Sequence, residues 1–337
     1  PVGDAMATTI WGTSSSWTLT ALPLFVWMGE ILFRTKLSEN LFKGLSPWMQ
    51  KLPGGLIHVN VVGCALFAAI SGSSAATVAT VGKMSIPELR KRKYPEKLLL
   101  GSLAGSGTLG LLIPPSIILI IYGVAVQESI AKLFIAGIIP GIMIALIFMS
   151  YVIIWSSLNK EKMPKTTENF TFFQKLKRSK QLLPVIILIL GVIGSIYSGI
   201  ATATEAASLG VVGALLLSYF QKSLNIKTFK SSLLGATKTS CMIAFILAGS
   251  TFLSLAMGFT GLPRNLAIWI ESMNLSPYVL IFVLMIFYII LGMFLDGISA
   301  VVLTMAIIEP MIRQAGFDMI WFGIFLVIVV EMAQITP

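Results

Sequence analysis

Residues 97–126 read KLLLGSLAGSGTLGLLIPPSIILIIYGVAV, an apolar run whose middle is interrupted by Gly101, Gly105, Gly107 and Gly110 and by the pair Pro114–Pro115. Thirty residues of α-helix extend ~45 Å, which is more than a bilayer needs. The prolines lack amide donors and push Ile113 out of helical geometry, so the sequence predicts a helix broken at mid-depth. Carbonyls freed by the break must line a protein-buried or watery cavity, and with Ser and Thr hydroxyls they suit a small cation.

The interruption of apolar sequence by small polar residues and prolines occurs twice in the chain, with the second copy 223 residues after the first. The aligned pairs are Ser73 with Asp296, Pro87 with Pro310, and Pro114 with Pro337. Paired, Gly/Pro-interrupted apolar segments are typical of secondary transporters, whose binding site lies at the bilayer midplane. A kinked structural helix with glycines for close packing is the alternative for either copy alone. The repetition favours a binding site over a purely structural kink.

The composition indicates a polytopic membrane protein. The chain of 337 residues is 56% hydrophobic and 11% charged, whereas soluble domains carry about 25% charged residues. The net charge of +10 comes from cations between the apolar runs, which indicates topology and not nucleic-acid binding. Because the chain starts without Met and stops at Pro337, we expect residues to be missing at both ends.

The positive charges predict how the chain crosses the membrane. We take 158–181 as cytoplasmic and treat 54–90 and 276–313 as re-entrant hairpins, with tips at Ser71–Ser74 and Asp296–Ser299. All of the 24 basic residues except Lys132, Arg264 and Arg313 then lie on the cytoplasmic side. Five full spans lie between the start of the first repeat near residue 18 and the start of the second near residue 235, and an odd number inverts the second copy, which is the geometry that alternating access needs.

The predicted fold class is therefore an all-α polytopic membrane protein with inverted repeats, each holding a re-entrant hairpin and a broken transmembrane helix. Residues 18–126 form the first repeat: a span, an interfacial helix in 36–52, the hairpin 54–90 and the broken helix 97–126. Residues 127–234 supply connecting helices and the loop 158–181. Residues 235–337 form the second repeat: a span, an interfacial helix in 262–275 with Trp269, the hairpin 276–313 and the broken helix 318–337.

The hairpin tips hold the candidate site residues. The first tip offers the hydroxyls of Ser71, Ser73, Ser74 and Thr77 around a flexible Gly72. The second places Asp296 among apolar neighbours, and a mid-membrane carboxylate is functional by default. We predict sodium as its partner; capping of the following helix is the alternative.

Three further acidic positions are weaker candidates. Glu331 stands before the second break, where it either serves the site or pairs with a hydroxyl for packing. Glu30 lies in the first span. Thr202 and Glu205 have the spacing of a capping box, which favours a structural role at a helix start.

Catalytic patterns are absent from the sequence. His58 is the sole histidine, which argues against a Ser–His pair, a His-rich metal site or a histidine proton relay. There is no HExxH, CxxC or P-loop motif, so the chain is not expected to be an enzyme or to hydrolyse ATP.

Four linked motifs carry a resemblance over nearly the whole chain. They are ISGSSAATVATVG (70–82), GTLGLLIPPSIILIIYG (107–123), SGIATATEAASLG (198–210), and LGMFLDGISAVVLT (291–304) followed by EMAQITP (331–337). In this order they resemble the large membrane subunit of tripartite ATP-independent periplasmic (TRAP) transporters. The resemblance implies an elevator-type, sodium-coupled importer of organic acids such as C4-dicarboxylates, sialic acid or sugar acids, in a bacterial inner membrane. It also implies a periplasmic substrate-binding protein and a small four-helix membrane subunit as partners.

The resemblance further implies two sodium sites, with Na⁺ as the only cofactor and substrate between the tips. The first site would use Ser71, Gly72, Ser73, Ser74, Gly107, Thr108, Gly110 and Pro114. The second would use Asp296, Gly297, Ser299, Gln334 and Thr336, with the break placed at 332–337. The closest ion contacts would be Ser73, Gly110, Asp296 and Thr336. Substrate would contact Ser73, Ser74, Thr77, Pro115, Ser116, Asp296 and Ser299. A stand-alone or proton-coupled anion transporter and a passive channel remain as alternatives.

Overall fold

A computed structural model describes residues 2–35, 37–164, 170–261, 264–266, 268 and 276–336. Within these ranges the chain is all helical, as predicted, and without strands. The helices are α1 Val2–Ser14, α2 Ala21–Phe33, α3 Leu37–Met49, α4 Ile57–Ser71, α5 Ser74–Lys91, α6 Glu96–Gly107, α7 Leu109–Leu112, α8 Ile117–Ala125, α9 Ile130–Leu158, α10 Phe172–Ser179, α11 Leu183–Tyr197, α12 Ala203–Phe220, α13 Ile226–Thr260, α14 Pro277–Gly292, α15 Gly297–Gln314 and α16 Met319–Ile335. Single 3₁₀ turns occur at Trp17–Thr20 and Lys160–Lys162.

The interrupted stretch 97–126 lies at the centre of the molecule. Of the 18-residue apolar stretch within its span, Glu96–Ala125, 83% is buried inside the protein, against 17% of the corresponding stretch of α13. Ile118 through Tyr122 on α8 are all fully buried. The glycine- and proline-interrupted segment 97–126 is thus packed against protein, which shields its irregular backbone from lipid.

The first predicted hairpin is a helix–break–helix unit, α4 and α5, reversed at Gly72 and Ser73. Helix α4 has 15 residues, about 22 Å, which is shorter than the ~30 Å hydrocarbon core. Gly72 has φ +58°, a left-handed conformation that favours glycine. At the open end, the Leu56 amide donates to Tyr94 Oη at 3.0 Å, so both ends of the unit meet. Burial raises the pKa of Tyr94 above its ordinary value.

The second predicted hairpin, α14 and α15, is more open. Tyr288 Oη and Thr304 Oγ1 lie 2.7 Å apart, each eight residues from Asp296, and join the two arms. Elsewhere α14 packs mainly on α16, while α15 also reaches α8 and α13. How both hairpins are oriented across the membrane stays a prediction.

Outside these units, α2 packs against α12 and α13, and α11 packs on α12. Glu30 forms an ion pair with Arg34, whose Nε donates to Ser231 Oγ at 3.1 Å on α13. The Glu30–Arg34 pair therefore helps to hold α2 against α13. Neither residue belongs to a hairpin tip. The capping box is confirmed: Thr202 and Glu205 bond each other's backbone amides at the start of α12.

Two short helices lie together at one end of the bundle. Trp48 of α3 donates from Nε1 to Ser179 Oγ of α10 at 2.7 Å, and its ring meets Phe172 edge-on. Helix α3 occupies the segment in which an interfacial helix was predicted. The matching prediction for 262–275, with Trp269, falls outside the described residues.

Two helices depart from the predicted boundaries. Helix α1, Val2–Ser14, was not predicted at all. Helix α13 begins at Ile226, nine residues before the predicted position 235, because Asn225 caps it by accepting from the Thr228 amide at 2.8 Å. Hydropathy identifies only the membrane-embedded part of such a helix, while its polar first turns are equally helical.

Candidate ion and substrate site

The first break leaves the Gly110 carbonyl without its helical donor. Ile113 is extended, with φ −72° and ψ 120°, as expected before a proline. Pro114 and Pro115 cannot donate to the Gly110 and Leu111 carbonyls. Ser116 Oγ donates to the Leu111 carbonyl instead and also caps α8 by accepting from the Leu119 amide. The Gly110 carbonyl remains available to a ligand.

The first hairpin tip packs directly on this break. The Ile117 amide donates to the Gly72 carbonyl at 3.4 Å. A Cβ added to Gly72 would lie 2.7 Å from the Pro115 oxygen, and one added to Gly110 would lie 2.8 Å from the Ser73 carbonyl carbon and oxygen. Both contacts are with backbone, which cannot rotate away. Glycine is thus required on both sides of the contact between tip and break.

The hydroxyls of the first tip mostly serve neighbouring backbone. Thr77 Oγ1 donates to the Ser73 carbonyl at 2.7 Å and lies 2.8 Å from Ser71 Oγ. Thr77 and Ser116 are fully buried, whereas Ser73 and Ser74 are half-buried. Of the predicted substrate contacts on this tip, only the half-buried pair is accessible in this conformation.

Two predicted ligands flank the break on α6. Thr108 Oγ1 donates to the Gly105 carbonyl at 2.8 Å. Gly107 faces Val78 of α5, where a Cβ would lie 2.0 Å from Cγ2. Gly107 therefore allows the close approach of α5 to the break, whereas the Thr108 hydroxyl is bonded within its own segment.

Asp296 at the second tip is an N-cap, the alternative that its sequence position left open. Its Oδ2 accepts from the amides of Ile298 and Ser299 at 3.1 and 3.2 Å, and its Oδ1 accepts from Ser299 Oγ at 2.5 Å. The residue is nevertheless exposed. Capping and ion binding are compatible, because a carboxylate has about four lone-pair sites. A role in ion binding stays a prediction.

The second tip lies between the end of α16 and the start of α8. A Cβ on Gly297 would meet Val330 Cγ1 at 2.8 Å, and Gln334 Nε2 and Ile118 Cδ1 at 3.1 Å each. Its neighbour Ile117 lies against Gly72 of the first tip. The two tips therefore contact consecutive residues at the start of one half-helix. A search for polar ligands misses Ile117 and Ile118, because nothing in their sequence distinguishes them from lipid-facing residues.

The second break begins later than the predicted residue 332. Helix α16 continues through Ile335, and only Thr336 is extended, with φ −81° and ψ 126°. A proline restricts chiefly the residue before it, so Gln334 stays helical. Thr336 Oγ1 donates to the Met332 carbonyl at 2.7 Å. Pro337 lies outside the described residues.

Glu331 is the most buried carboxyl of the described chain. It is 3% exposed, and its Oε1 has no hydrogen-bond partner among the described residues. Its helix, α16, packs against α7, α8 and α9 around the first break. A buried carboxyl without a partner is costly, which marks Glu331 as a functional candidate.

A cavity of about 680 Å³ opens beside the second hairpin. It is lined by hydroxyls of α1 and α13, by α15 and by the turn after α8, and contains Glu128 and Glu309. Arg313 contacts Glu309 at 2.9 Å and Glu128 at 3.8 Å, and donates to the Val126 carbonyl at 3.1 Å. This cluster, in which only Arg313 was counted from sequence, ties the far end of α15 to the turn after α8.

Broken helices, two tips and a central buried half-helix define a polytopic membrane protein with the construction of a secondary transporter. Over residues 1–337 the sequence matches the family described as "Tripartite ATP-independent periplasmic transporter, DctM component". The chain belongs to this family of TRAP transporter large permeases. It is a transporter subunit and not an enzyme, and it is an integral protein of the inner membrane.

Curated relatives match along almost the full chain. A C4-dicarboxylate TRAP transporter large permease protein of Pseudomonas aeruginosa is 32% identical over 99% of this chain and 78% of its own length. The 2,3-diketo-L-gulonate large permease protein of Escherichia coli is 32% identical over 98% and 78% of the two chains. The sialic acid large permease protein of Vibrio cholerae is 31% identical over 97% and 76%.

Proposed function

We propose that this chain is the membrane subunit of a sodium-coupled symporter that imports an organic acid anion. The anion is delivered by a periplasmic substrate-binding protein, and a small four-helix membrane subunit completes the assembly. The observation that carries the proposal is the meeting of both tips on Ile117 and Ile118. A ligand bound at either tip can therefore act on the same half-helix, α8.

Sodium is the co-transported ion in this proposal, and the available oxygens suit it. At the first tip the Gly110 carbonyl lacks a helical donor, and the Ser73 backbone abuts it. At the second tip Asp296 supplies a carboxylate beside Gly297, which contacts Gln334. These are hard oxygen donors, the kind that bind a small cation bare of its water. Among the described residues no cluster of three His, Cys, Asp or Glu side chains exists, so a divalent metal site of that kind is not an alternative there.

An organic anion is supported by the helix termini around the tips. Helices α5, α8 and α15 all begin there, with Ser73, Ser116 and Asp296 as their caps. Helix N-termini carry partial positive charge and unpaired amides, which stabilise carboxylates. The relatives named above for dicarboxylate, diketogulonate and sialic acid all carry acids. In the elevator cycle, α4–α8 and α14–α16 would move together against α2, α3 and α13.

The proposal predicts that uptake requires both an inward sodium gradient and the binding protein. Reconstituted vesicles that contain this chain and the small subunit are expected to accumulate a radiolabelled organic acid only when the sodium gradient and the binding protein are both present. Collapse of the sodium gradient should reduce uptake to the level of empty vesicles. Accumulation without the binding protein would identify a stand-alone transporter, and equilibration without accumulation would identify a channel.

Proton coupling is the second candidate, and the buried carboxyl of Glu331 favours it. A carboxyl that binds and releases a proton during the cycle would make uptake follow an inward proton gradient in sodium-free buffer. We expect no such uptake, because sodium supplies the coupling in the proposal. Uptake driven by the proton gradient alone would replace sodium coupling with proton coupling.

A further inference from the structure

A basic cavity of about 440 Å³ lies between the end of α2 and the start of α13, and no hairpin-tip residue lines it. Its lining residues are Arg34, Lys227, Lys230, Ser231, Leu234, Gly235 and Lys238. No carboxylate lines it. Glu30 lies beside the lining residue Gly235, and its charge is already matched by the ion pair with Arg34.

The three lysines carry uncompensated charge. Lys227, Lys230 and Lys238 form no ion pair within the described part of the chain. Their spacing of three and eight residues places them on one face of α13. Like charges on one helix face repel, and the cavity concentrates their field. The site is therefore built for an anion.

The cavity has the position of a membrane–water interface. It lies on the side to which the charge distribution assigns the cytoplasm, next to Trp27, whose Nε1 donates to Ser232 Oγ of α13 at 3.4 Å. Tryptophan is enriched at this depth of the bilayer. Gly235, in the cavity lining, lets α2 approach α13 closely, since a Cβ there would lie 2.5 Å from Glu30 Oε2.

The same helix face also carries an exposed apolar stripe made of two side chains, Leu234 in the cavity lining and Phe245 beyond Lys238. Leu234 is 61% exposed and Phe245 is 82% exposed, and both align with Lys227 and Lys238 at helical spacing. A phosphate in the basic cavity would thus have its acyl chains along α13. A soluble phosphate compound has no acyl chain to pack along this stripe.

We propose that this cavity binds the headgroup phosphate of an anionic phospholipid of the inner leaflet, with an acyl chain along Leu234 and Phe245. Each lysine near an anionic lipid contributes roughly a factor of five in affinity. The lipid joins α2 to α13, the two helices that the proposed function places in the stationary part of the transporter. The binding does not depend on sodium coupling or on the identity of the transported acid.

Native mass spectrometry of the purified full chain tests this proposal with phosphatidylglycerol and phosphatidylcholine as probes. Replacing Lys227, Lys230 and Lys238 together by Gln should weaken the first phosphatidylglycerol binding step on the order of a hundredfold, with phosphatidylcholine binding unchanged. The same three positions changed to Arg should keep the affinity. The matched control is the triple change Lys160→Gln, Lys177→Gln and Lys180→Gln, which removes the same charge on the same side away from the cavity and should have no effect.

Three results would overturn the proposal. The first is unchanged phosphatidylglycerol binding in the Gln variant. The second is displacement of the lipid by millimolar glycerol phosphate, which would identify a soluble phosphate compound as the occupant. The third is exclusion of the lipid by the added small membrane subunit, which would make this face a protein interface. Thermal melting of each variant without lipid identifies any that fail to fold, in which case the Arg triple and its single Gln derivatives are compared instead.

Discussion

The substitution Gly110→Ala is expected to lower uptake by about tenfold or more. The new Cβ would lie 2.8 Å from the Ser73 carbonyl carbon and oxygen and 3.0 Å from the Ser74 nitrogen. All three are backbone atoms, so the tip must move away from the break. Overpacking of this kind costs ~1–3 kcal/mol, and it falls on the contact that presents the Gly110 carbonyl. Initial rates of sodium-driven uptake in vesicles measure the effect.

Gly101→Ala is the matched control for this change. Gly101 lies on α6, in the same span, and a Cβ there would meet nothing within 4 Å. Alanine is also the better helix former by about 1 kcal/mol, so the control should fold at least as well as the wild type and transport normally. Normal uptake by Gly110→Ala would show that the tight contact between tip and break has no role in transport.

The substitution Asp296→Asn is expected to weaken the apparent sodium affinity by about tenfold or more, while the folded protein keeps its stability. Asparagine caps a helix about as well as aspartate, so the bonds to the Ile298 and Ser299 amides have a replacement. The negative charge has none, and interactions with charged groups contribute roughly 1.5–3 kcal/mol. The sodium dependence of uptake and the melting temperature together separate the two roles.

Asp318→Asn provides the comparison. Asp318 caps α16 through the Trp321 amide at 2.9 Å, as Asp296 caps α15, but it stands at the opposite end of α16 from the tips. Its replacement should leave the sodium dependence unchanged. Equal behaviour of the two variants would reduce Asp296 to a cap and remove the second sodium site from the account.

The breaks could be predicted from sequence because each has a local cause. Gly72 turns the chain through a positive φ, and Pro114 and Pro115 disrupt α-helix whatever surrounds them. The capping box at Thr202 is equally local. The start of the second break was predicted too early, since a proline pattern shows where a helix ends only to within a few residues.

What sequence could not supply depends on tertiary packing. Ile117 and Ile118 are identical side chains in an apolar run, and only the fold places one against each tip. The hydroxyl of Thr77 was predicted as a substrate contact, yet the reversal at Gly72 directs it to the Ser73 carbonyl. Glu128 lies 185 residues before Arg313, and nothing local indicates that the two meet, whereas Glu309 and Arg313 are neighbours one turn apart on α15.

Cysteine accessibility in sealed vesicles tests the opposed orientation of the two hairpins most directly. With Cys64 and Cys241 replaced, single cysteines would be introduced at Lys51 and Lys93, which flank the first hairpin, and at Ser276 and Gln314, which flank the second. An impermeant thiol reagent is expected to label the first pair only from the cytoplasmic side and the second pair only from the periplasmic side. Labelling of positions 51 and 93 from opposite sides, or of all four positions from one side, would contradict the account.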